Sequence, residues 1–305
     1  MDIAVVIPVF CGEETIEELF EGIRETLENK YEFEVIFVHD GGTDLSWENI
    51  CELKDIHGSL IRGIKLTQNF GQHNALLCGF QYTDATLIIT MDEDLQHNPK
   101  DIINLIDCQK QNNADLVYGS YILRNHSILR NTASLLLRSV LTKTIRHLHK
   151  DFSSYRLLKN DVVKNINWTS SAYTFLDGSF AQLNIKVKST VVQHFKSKVG
   201  KSSYSLTKLF KHAVNIIISF SELPIIFLQR TSMLLFLIFS LYSVSLLLRK
   251  LIITEFSLNN YSIFTVILGF GVGFGLYGLG IMLRKTKKKQ NLPNPKAKYT
   301  VNEIR

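Results

Sequence analysis

Residues 87–96 read LIITMDEDLQ, an apolar strand-like run that ends in Asp92-Glu93-Asp94. Two carboxylates one residue apart on a strand-to-loop turn suit a hard divalent cation, Mg²⁺ or Mn²⁺, which prefers oxygen ligands and keeps positions open for phosphate oxygens. An isolated Asp-x-Asp also fits an ordinary solvated loop, so its weight comes from its neighbours. Around it, short β-branched runs alternate with amphipathic ones. Residues 3–9, 33–38, 60–66, 87–91 and 114–119 read as strands. Ile16, Leu19, Phe20, Ile23 and Leu27 recur at helical spacing, and Pro99 opens a helix with Ile102, Ile103, Leu105 and Ile106 on its apolar face. This βαβα order predicts an α/β domain with a mostly parallel, Rossmann-like sheet covered on both faces. Ligands bind such sheets outside the carboxyl ends of the strands.

The polar signals fall at those ends. The first strand leads into Phe10-Cys11-Gly12-Glu13, the second into His39-Asp40-Gly41-Gly42-Thr43-Asp44, the third into Asn69-Phe70-Gly71-Gln72, and the fourth into Asp92-Glu93-Asp94. Singly each is an ordinary Gly/Asp turn. Together on one edge they predict a nucleotide site.

Apolar residues crowd into the last third of the 305-residue chain. Residues 231–248 and 262–283 carry no charge, and each is near the roughly 20 residues a helix needs to cross a bilayer. From Arg284 onward eight Lys or Arg face only Glu303, whereas the chain as a whole carries +6. The excess is therefore a juxtamembrane patch and not a nucleic-acid-binding surface, and the positive-inside rule puts it in the cytoplasm. With a short loop between the spans, the expectation is a two-helix hairpin in the cell inner membrane with both termini and the catalytic domain cytoplasmic. Met1-Asp2 runs straight into a strand-like stretch with no basic n-region, so no signal peptide is expected. Four scattered cysteines lack metal-ligand spacing and fit a reducing cytosol. Residues 206–220 place Leu209, Phe210, Ala213, Ile216, Ile217 and Phe220 on one side, which suits an interfacial helix before Pro224 turns the chain into the first span. The domain reading is thus 1–204 catalytic, 205–229 interfacial, 230–284 the hairpin and 285–305 a basic tail, disordered from 290. Six glycines between 269 and 280 permit close helix contact and a homo-oligomer.

The chain resembles the family 2 glycosyltransferases of GT-A fold, and within them the polyprenyl-phosphate type that includes dolichol-phosphate mannose synthase and bacterial undecaprenyl-phosphate glycosyltransferases. The carriers are IPVFCGEE (7–14), HDGGTD (39–44), NFGQHNALLCGF (69–80), DEDLQHNP (92–99), YGS (118–120), DFSSYRL (151–157) and VGKSSYS (199–205). The resemblance implies that Pro8, Phe10, Glu13 and Asp40 line the base and ribose of a nucleotide-sugar donor, with Gly71 and Gln72 in the same site. Asp92 and Asp94 would bridge the diphosphate through the metal, and Gln96 would sit beside the sugar or the acceptor phosphate. The sequence departs from the family pattern at Phe10-Cys11, where Tyr-Asn is usual, and at His39, Tyr121, Ser154 and Ser203, which stand for Asp, Arg, an acid and Lys. These changes leave the metal turn intact and bear on the donor base, the sugar and the acceptor contacts.

Transfer to a lipid phosphate needs cations for the acceptor but no dedicated strong base, because a phosphate monoester is largely ionised near neutral pH (second pKa about 6). Arg124, Arg130, Arg156, Lys196, Lys198 and Lys201 are the candidate cations. Arg138, Lys143 and Arg146 read as a solvated helix face. Asp151 either orients an arginine, acts as a weak base, or is a turn residue. The histidines near the site, His39, His73 and His97, read as polar turn residues. The sequence therefore predicts a metal-dependent inverting glycosyltransferase moving a sugar, UDP-linked by expectation, onto undecaprenyl or a similar polyprenyl phosphate. Two alternatives stay open: transfer to a glycan or glycolipid hydroxyl with Asp177 as base, and a non-catalytic membrane scaffold.

Overall fold

A computed structural model describes residues 1–121, 138–164, 175–195, 214–253, 259–290 and 299–305. It divides into two units. The first holds one eight-stranded sheet in the order β7-β5-β6-β4-β1-β2-β3-β8. Its strands are β1 (Ile3–Val9), β2 (Phe33–His39), β3 (Ile61–Leu66), β4 (Leu87–Thr90), β5 (Leu116–Tyr121), β6 (Arg156–Lys159), β7 (Val187–Val192) and β8 (Val301–Ile304). β1 pairs parallel with β2 and β4, β2 with β3, and β5 with β7, while β6 and β8 run antiparallel to their neighbours. Every residue of β1 and β2 is buried, as strands covered on both faces require.

The helices packed on the first five strands include α1 (Ile16–Leu27), α2 (Ser46–His57), α3 (Gln72–Phe80) and α4 (Ile102–Asn112). α1 buries the five residues whose spacing predicts it, Ile16, Leu19, Phe20, Ile23 and Leu27. They join Val5, Ile7, Val35 and Phe37 in one apolar layer, and α3 covers the other face through Ala75, Leu76 and Phe80 against Val6, Val38 and Ile88. Gly79 lets α3 lie directly on β1, since a Cβ there would meet Val6 at 2.3 Å. β1 sits between β2 and β4, so the turns leaving β1 and β4 diverge and open a crevice at the carboxyl edge.

One expectation is corrected at the C-terminus. Residues 290–305 read as a disordered basic tail, yet β8 pairs with β3, matching Ile64 to Ile304, Lys65 to Glu303 and Leu66 to Val301. The alternation of Val301, Glu303 and their neighbours is too short to register against the lysines and prolines before it. The partner strand supplies the hydrogen bonds that make it a strand.

The second unit contains two long helices, Leu223–Ile252 and Asn260–Gln290, both long and apolar enough to cross a membrane. The first begins eight residues before the predicted span, with Pro224 in its first turn. Their apolar side chains are largely exposed, including Phe227, Met233, Leu237, Phe264, Ile267 and Phe274, the pattern of a helix pair solvated by lipid. The six glycines divide into two sets. Gly269 and Gly273 face the Phe239 and Phe236 rings and Gly280 faces Gln229, while Gly271, Gly275 and Gly278 have open space around them. Ser232 Oγ donates to the Gly273 carbonyl at 2.9 Å. Of the expected interfacial helix, residues 206–213 lie outside the described residues and 214–220 are helical.

Candidate active site

The turns leaving β1 and β2 are stitched together by their own acids. Glu13 Oε2 accepts from the Leu45 N–H at 2.8 Å, Asp44 Oδ2 accepts from the Glu13 N–H at 3.1 Å and from Ser46 Oγ at 2.6 Å, and Ser46 Oγ accepts from the Gly12 N–H at 2.9 Å. Glu13 therefore builds the turn. Phe10 is 47% exposed beside it, whereas Pro8 is buried within β1 and lines nothing at the surface, contrary to its expected role against the base.

Asp40 is committed in the same way. Its Oδ1 accepts from the Phe70 N–H at 2.7 Å and its Oδ2 from the Gly71 N–H at 2.8 Å, so it fixes the turn that follows β3. Burial raises its pKa, and the two N–H donors oppose that rise. Gly41 has φ +73 and sits against this turn, where a Cβ would meet the Asn69 nitrogen at 2.4 Å. Gly71 and Gln72 open α3, and Gln72 Nε2 donates to Asp92 Oδ1. The turns after β2, β3 and β4 thus form one connected rim.

Asp92 is held from three directions. Besides Gln72, Ser154 Oγ donates to its Oδ2 at 2.6 Å, and its own N–H donates to His97 Nδ1 at 3.2 Å. His97 lies between Tyr155 and Tyr121, with ring centroids 4.8 and 6.0 Å away and planes within 11°. Its Nε2 is 2.8 Å from Tyr121 Oη, and because Nδ1 accepts, the neutral ring carries its proton on Nε2. Burial lowers its pKa to about 4, which keeps it neutral. The Phe195 N–H donates to the Gln96 carbonyl at 2.9 Å, and His97 and His194 form a bridge, so the chain leaving β7 braces the acidic turn. His97 and Tyr121 are site-building residues that the sequence reading left as a turn histidine and a departure from pattern.

The acids of this turn repel one another. Burial raises the pKa of Asp92 and Asp94, with the Asp92 charge adding to the rise at Asp94, and burial followed by Asp92 pushes Glu93 up to about 8. Asp94 Oδ1 accepts from the Gln96 N–H at 3.1 Å, and Glu93 Oε1 from the Phe10 N–H at 3.3 Å. A divalent cation relieves such crowding. Asp92 and Asp94 offer the hard carboxylate oxygens such an ion prefers, and no three His, Cys, Asp or Glu side chains converge among the described residues.

Behind the turn runs a buried polar chain. Asp177 Oδ1 accepts from Arg156 Nη1 and from Tyr118 Oη, the latter at 2.8 Å. Arg156 Nε donates to Thr90 Oγ1 at 3.1 Å, Thr90 Oγ1 to the Ser154 carbonyl at 2.5 Å, and Ser154 carries Asp92. This corrects Arg156 as an acceptor cation: it is 1% exposed and ion-paired with Asp177. It also corrects Asp177 as an available base, since it is 3% exposed and already paired. Arg156 instead puts a positive charge behind Asp92 and opposes the rise of its pKa. Asp151 Oδ2 accepts from Ser189 Oγ at 2.8 Å. Arg138, expected on a solvated face, donates to the Lys150 and Phe152 carbonyls, while Lys143 and Arg146 are exposed as expected. Arg124, Arg130, Lys196, Lys198 and Lys201 lie outside the described residues.

A mostly parallel sheet with an acidic turn at its carboxyl edge, followed by paired apolar helices, defines a glycosyltransferase of GT-A type. The family model described as "Glycosyl transferase family 2" matches residues 4–173, and the chain belongs to that family, in its polyprenyl-phosphate branch. An undecaprenyl-phosphate 4-deoxy-4-formamido-L-arabinose transferase of Proteus mirabilis is 30% identical over 73% of this chain and 69% of its own. The protein of that description from Edwardsiella ictaluri is 26% identical over 99% of this chain and 94% of its own. Among solved structures, residues 1–349 of S. aureus TarS in complex with UDP-GlcNAc share the fold at a TM-score of 0.52 and 16% identity, covering 72% of this chain and 66% of that fragment. Glucosyl-3-phosphoglycerate synthase from Mycobacterium tuberculosis, solved with Mn²⁺, UDP and phosphoglyceric acid, matches at 0.51 and 18%, over 71% of this chain and 76% of that one.

Proposed function

We propose that this glycosyltransferase moves a sugar from a nucleoside diphosphate, with uridine as the expected base, onto undecaprenyl or a similar polyprenyl phosphate at the cytoplasmic face of the inner membrane. The observation that carries the reading is the crowded Asp92-Glu93-Asp94 turn on the carboxyl edge of β4, next to the exit of β1. Asp92 and Asp94 would hold Mg²⁺ or Mn²⁺, which when bound neutralises the departing diphosphate. The chain's residues do the rest. Gln72, Ser154 and the His97 ring fix Asp92, Phe10 offers an exposed apolar surface at the base end, and Gln96 follows the turn toward the sugar. Arg124, Arg130, Lys198 and Lys201 are the proposed acceptor cations. In the transfer a phosphate oxygen of the lipid bonds to the anomeric carbon as the bond to the diphosphate breaks, and the configuration inverts.

The hydroxyl-acceptor alternative loses its base, because Asp177 is buried against Arg156 and Tyr118. Phosphate needs none. β8 supports the membrane arrangement: it follows the hairpin in sequence yet joins the catalytic sheet, so an even number of crossings separates them. With the basic residues around 284–289 this favours a cytoplasmic domain. A homo-oligomer through the uncovered glycines is compatible with this arrangement. The test is incubation with polyprenyl phosphate, Mn²⁺ and UDP- and GDP-sugars, including a 4-formamido-arabinose donor. A lipid product formed by the parent and lost in Asp94→Ala is expected. Turnover of Asp94→Ala at the parent's rate in chelator would contradict the metal assignment.

A further inference from the structure

We infer that the strand after the membrane hairpin is a brace for the donor site, with Tyr299 and Thr300 as positioning residues. This rests on the reading of the rim around Asp40 and Asp92 as the nucleotide site. The ladder between β3 and β8 extends beyond the paired strands at both ends. Arg305 and Gly63 exchange N–H···O bonds of 2.9 and 3.1 Å, and the Thr67 N–H donates to the Thr300 carbonyl at 2.9 Å. Thr67 is the first residue after β3. Three and four residues on, the Phe70 and Gly71 N–H groups grip Asp40, and Gln72 reaches Asp92. The last bond of the ladder is therefore made at the root of the turn that ties the β2, β3 and β4 exits together.

The other end of that turn is braced by the same segment. Tyr299 packs on the apolar layer that includes Ala75, Leu76 and Cys78 of α3, the helix opened by Gly71 and Gln72. Residues 67–71 are thus held between β3 and α3, and residues 299–300 touch both supports. A register shift between Lys65 and Leu66 lets the ladder reach Thr67. Without residues 299–305, β3 would be an open edge and Thr67 would lose its acceptor. The turn would then sample geometries in which Asp40 and Asp92 lose their partners.

The test compares the full chain with one stopped after Lys298, both in detergent with Mn²⁺. UDP and GDP binding are measured by calorimetry, and donor and lipid KM by turnover. Truncation should weaken nucleotide binding and raise donor KM roughly tenfold, as expected if the turn keeps its binding geometry about a tenth of the time, with lipid KM unchanged. A peptide of residues 294–305 should restore affinity. Equal nucleotide affinity in the two chains overturns the brace alone. A full chain that binds neither nucleotide overturns the site reading, and the brace with it. Where the truncated chain does not hold its fold, Tyr299→Ala keeps the ladder acceptors. It should speed hydrogen exchange at the Thr67, Phe70 and Gly71 amides and raise the nucleotide Kd, and no change in either contradicts the inference.

Discussion

Asp177→Asn tests whether the acid behind the site serves structure or chemistry. Arg156 and Asp177 have side chains 1% and 5% exposed, so the substitution leaves a guanidinium buried without its counter-charge. Removing one partner of such a pair costs about 3–5 kcal/mol. Asn retains an oxygen for Tyr118 Oη, which puts it at the lower end, about 3 kcal/mol. Asp177→Ala also strands the Tyr118 hydroxyl, at a further ~1–3 kcal/mol. Against a total of about 5–15 kcal/mol for a domain, the Ala variant should be close to unfolded at growth temperature. Arg156→Met combined with Asp177→Asn should recover part of the loss, because no charge is then stranded, and the coupling appears in a double-mutant cycle. Urea midpoints followed by tryptophan fluorescence measure this, alongside turnover at a temperature where the variants stay folded. There Asp177→Asn should keep transfer within about tenfold, roughly 1.4 kcal/mol of barrier. A variant as stable as the parent but unable to transfer sugar would refute the reasoning and restore Asp177 as a base.

His39 is buried, with neither ring nitrogen hydrogen-bonded among the described residues, and burial and Lys65 lower its pKa against the opposing pull of Asp44 and Glu48. A depressed base takes up protons first in the unfolded state. Stability should therefore fall as pH drops below the ordinary value of 6.5, and His39→Gln should flatten that part of the profile relative to the parent. Ser154→Ala removes one of the donors to Asp92 and should raise the Mn²⁺ concentration for half-maximal activity severalfold, for a charge-assisted bond of about 1.5–3 kcal/mol partly replaced by water. Unchanged metal dependence would remove Ser154 from the site. Tyr121→Phe should cost about 0.5–1.5 kcal/mol of stability through the lost contact with His97 Nε2, read as a shift in urea midpoint. In a cysteine-free background, Phe256→Cys should react with an impermeant thiol reagent added to intact cells, and a cysteine appended after Arg305 should not. The reverse pattern would invert the topology.

The parallel core was legible because β1, β2 and α1 carry their own periodicities, and the acidic turn because it falls at a strand end beside three other polar strand exits. The parts that were not legible depend on partners far along the chain. Arg156 looks like a free cation until β6 inserts beside β4 and sets it against Asp177, twenty-one residues on. Ser154 reads as the loss of an acid until its hydroxyl is seen to carry Asp92. Glu13 and Asp40 read as nucleotide contacts, but their oxygens accept from the Leu45, Phe70 and Gly71 N–H groups, contacts that no local pattern announces. β8 was invisible because a four-residue edge strand owes its existence to the strand it joins.

The central claim is transfer from a nucleotide sugar to a lipid phosphate through the Asp92 and Asp94 turn. The direct measurement is mass analysis of the lipid fraction after purified protein is incubated with undecaprenyl phosphate, Mn²⁺ and the donor panel. The account predicts a polyprenyl phosphate enlarged by one sugar, formed only with divalent metal and absent with Asp94→Ala. A sugar found on a hydroxyl acceptor while the polyprenyl phosphate stays unmodified would contradict it.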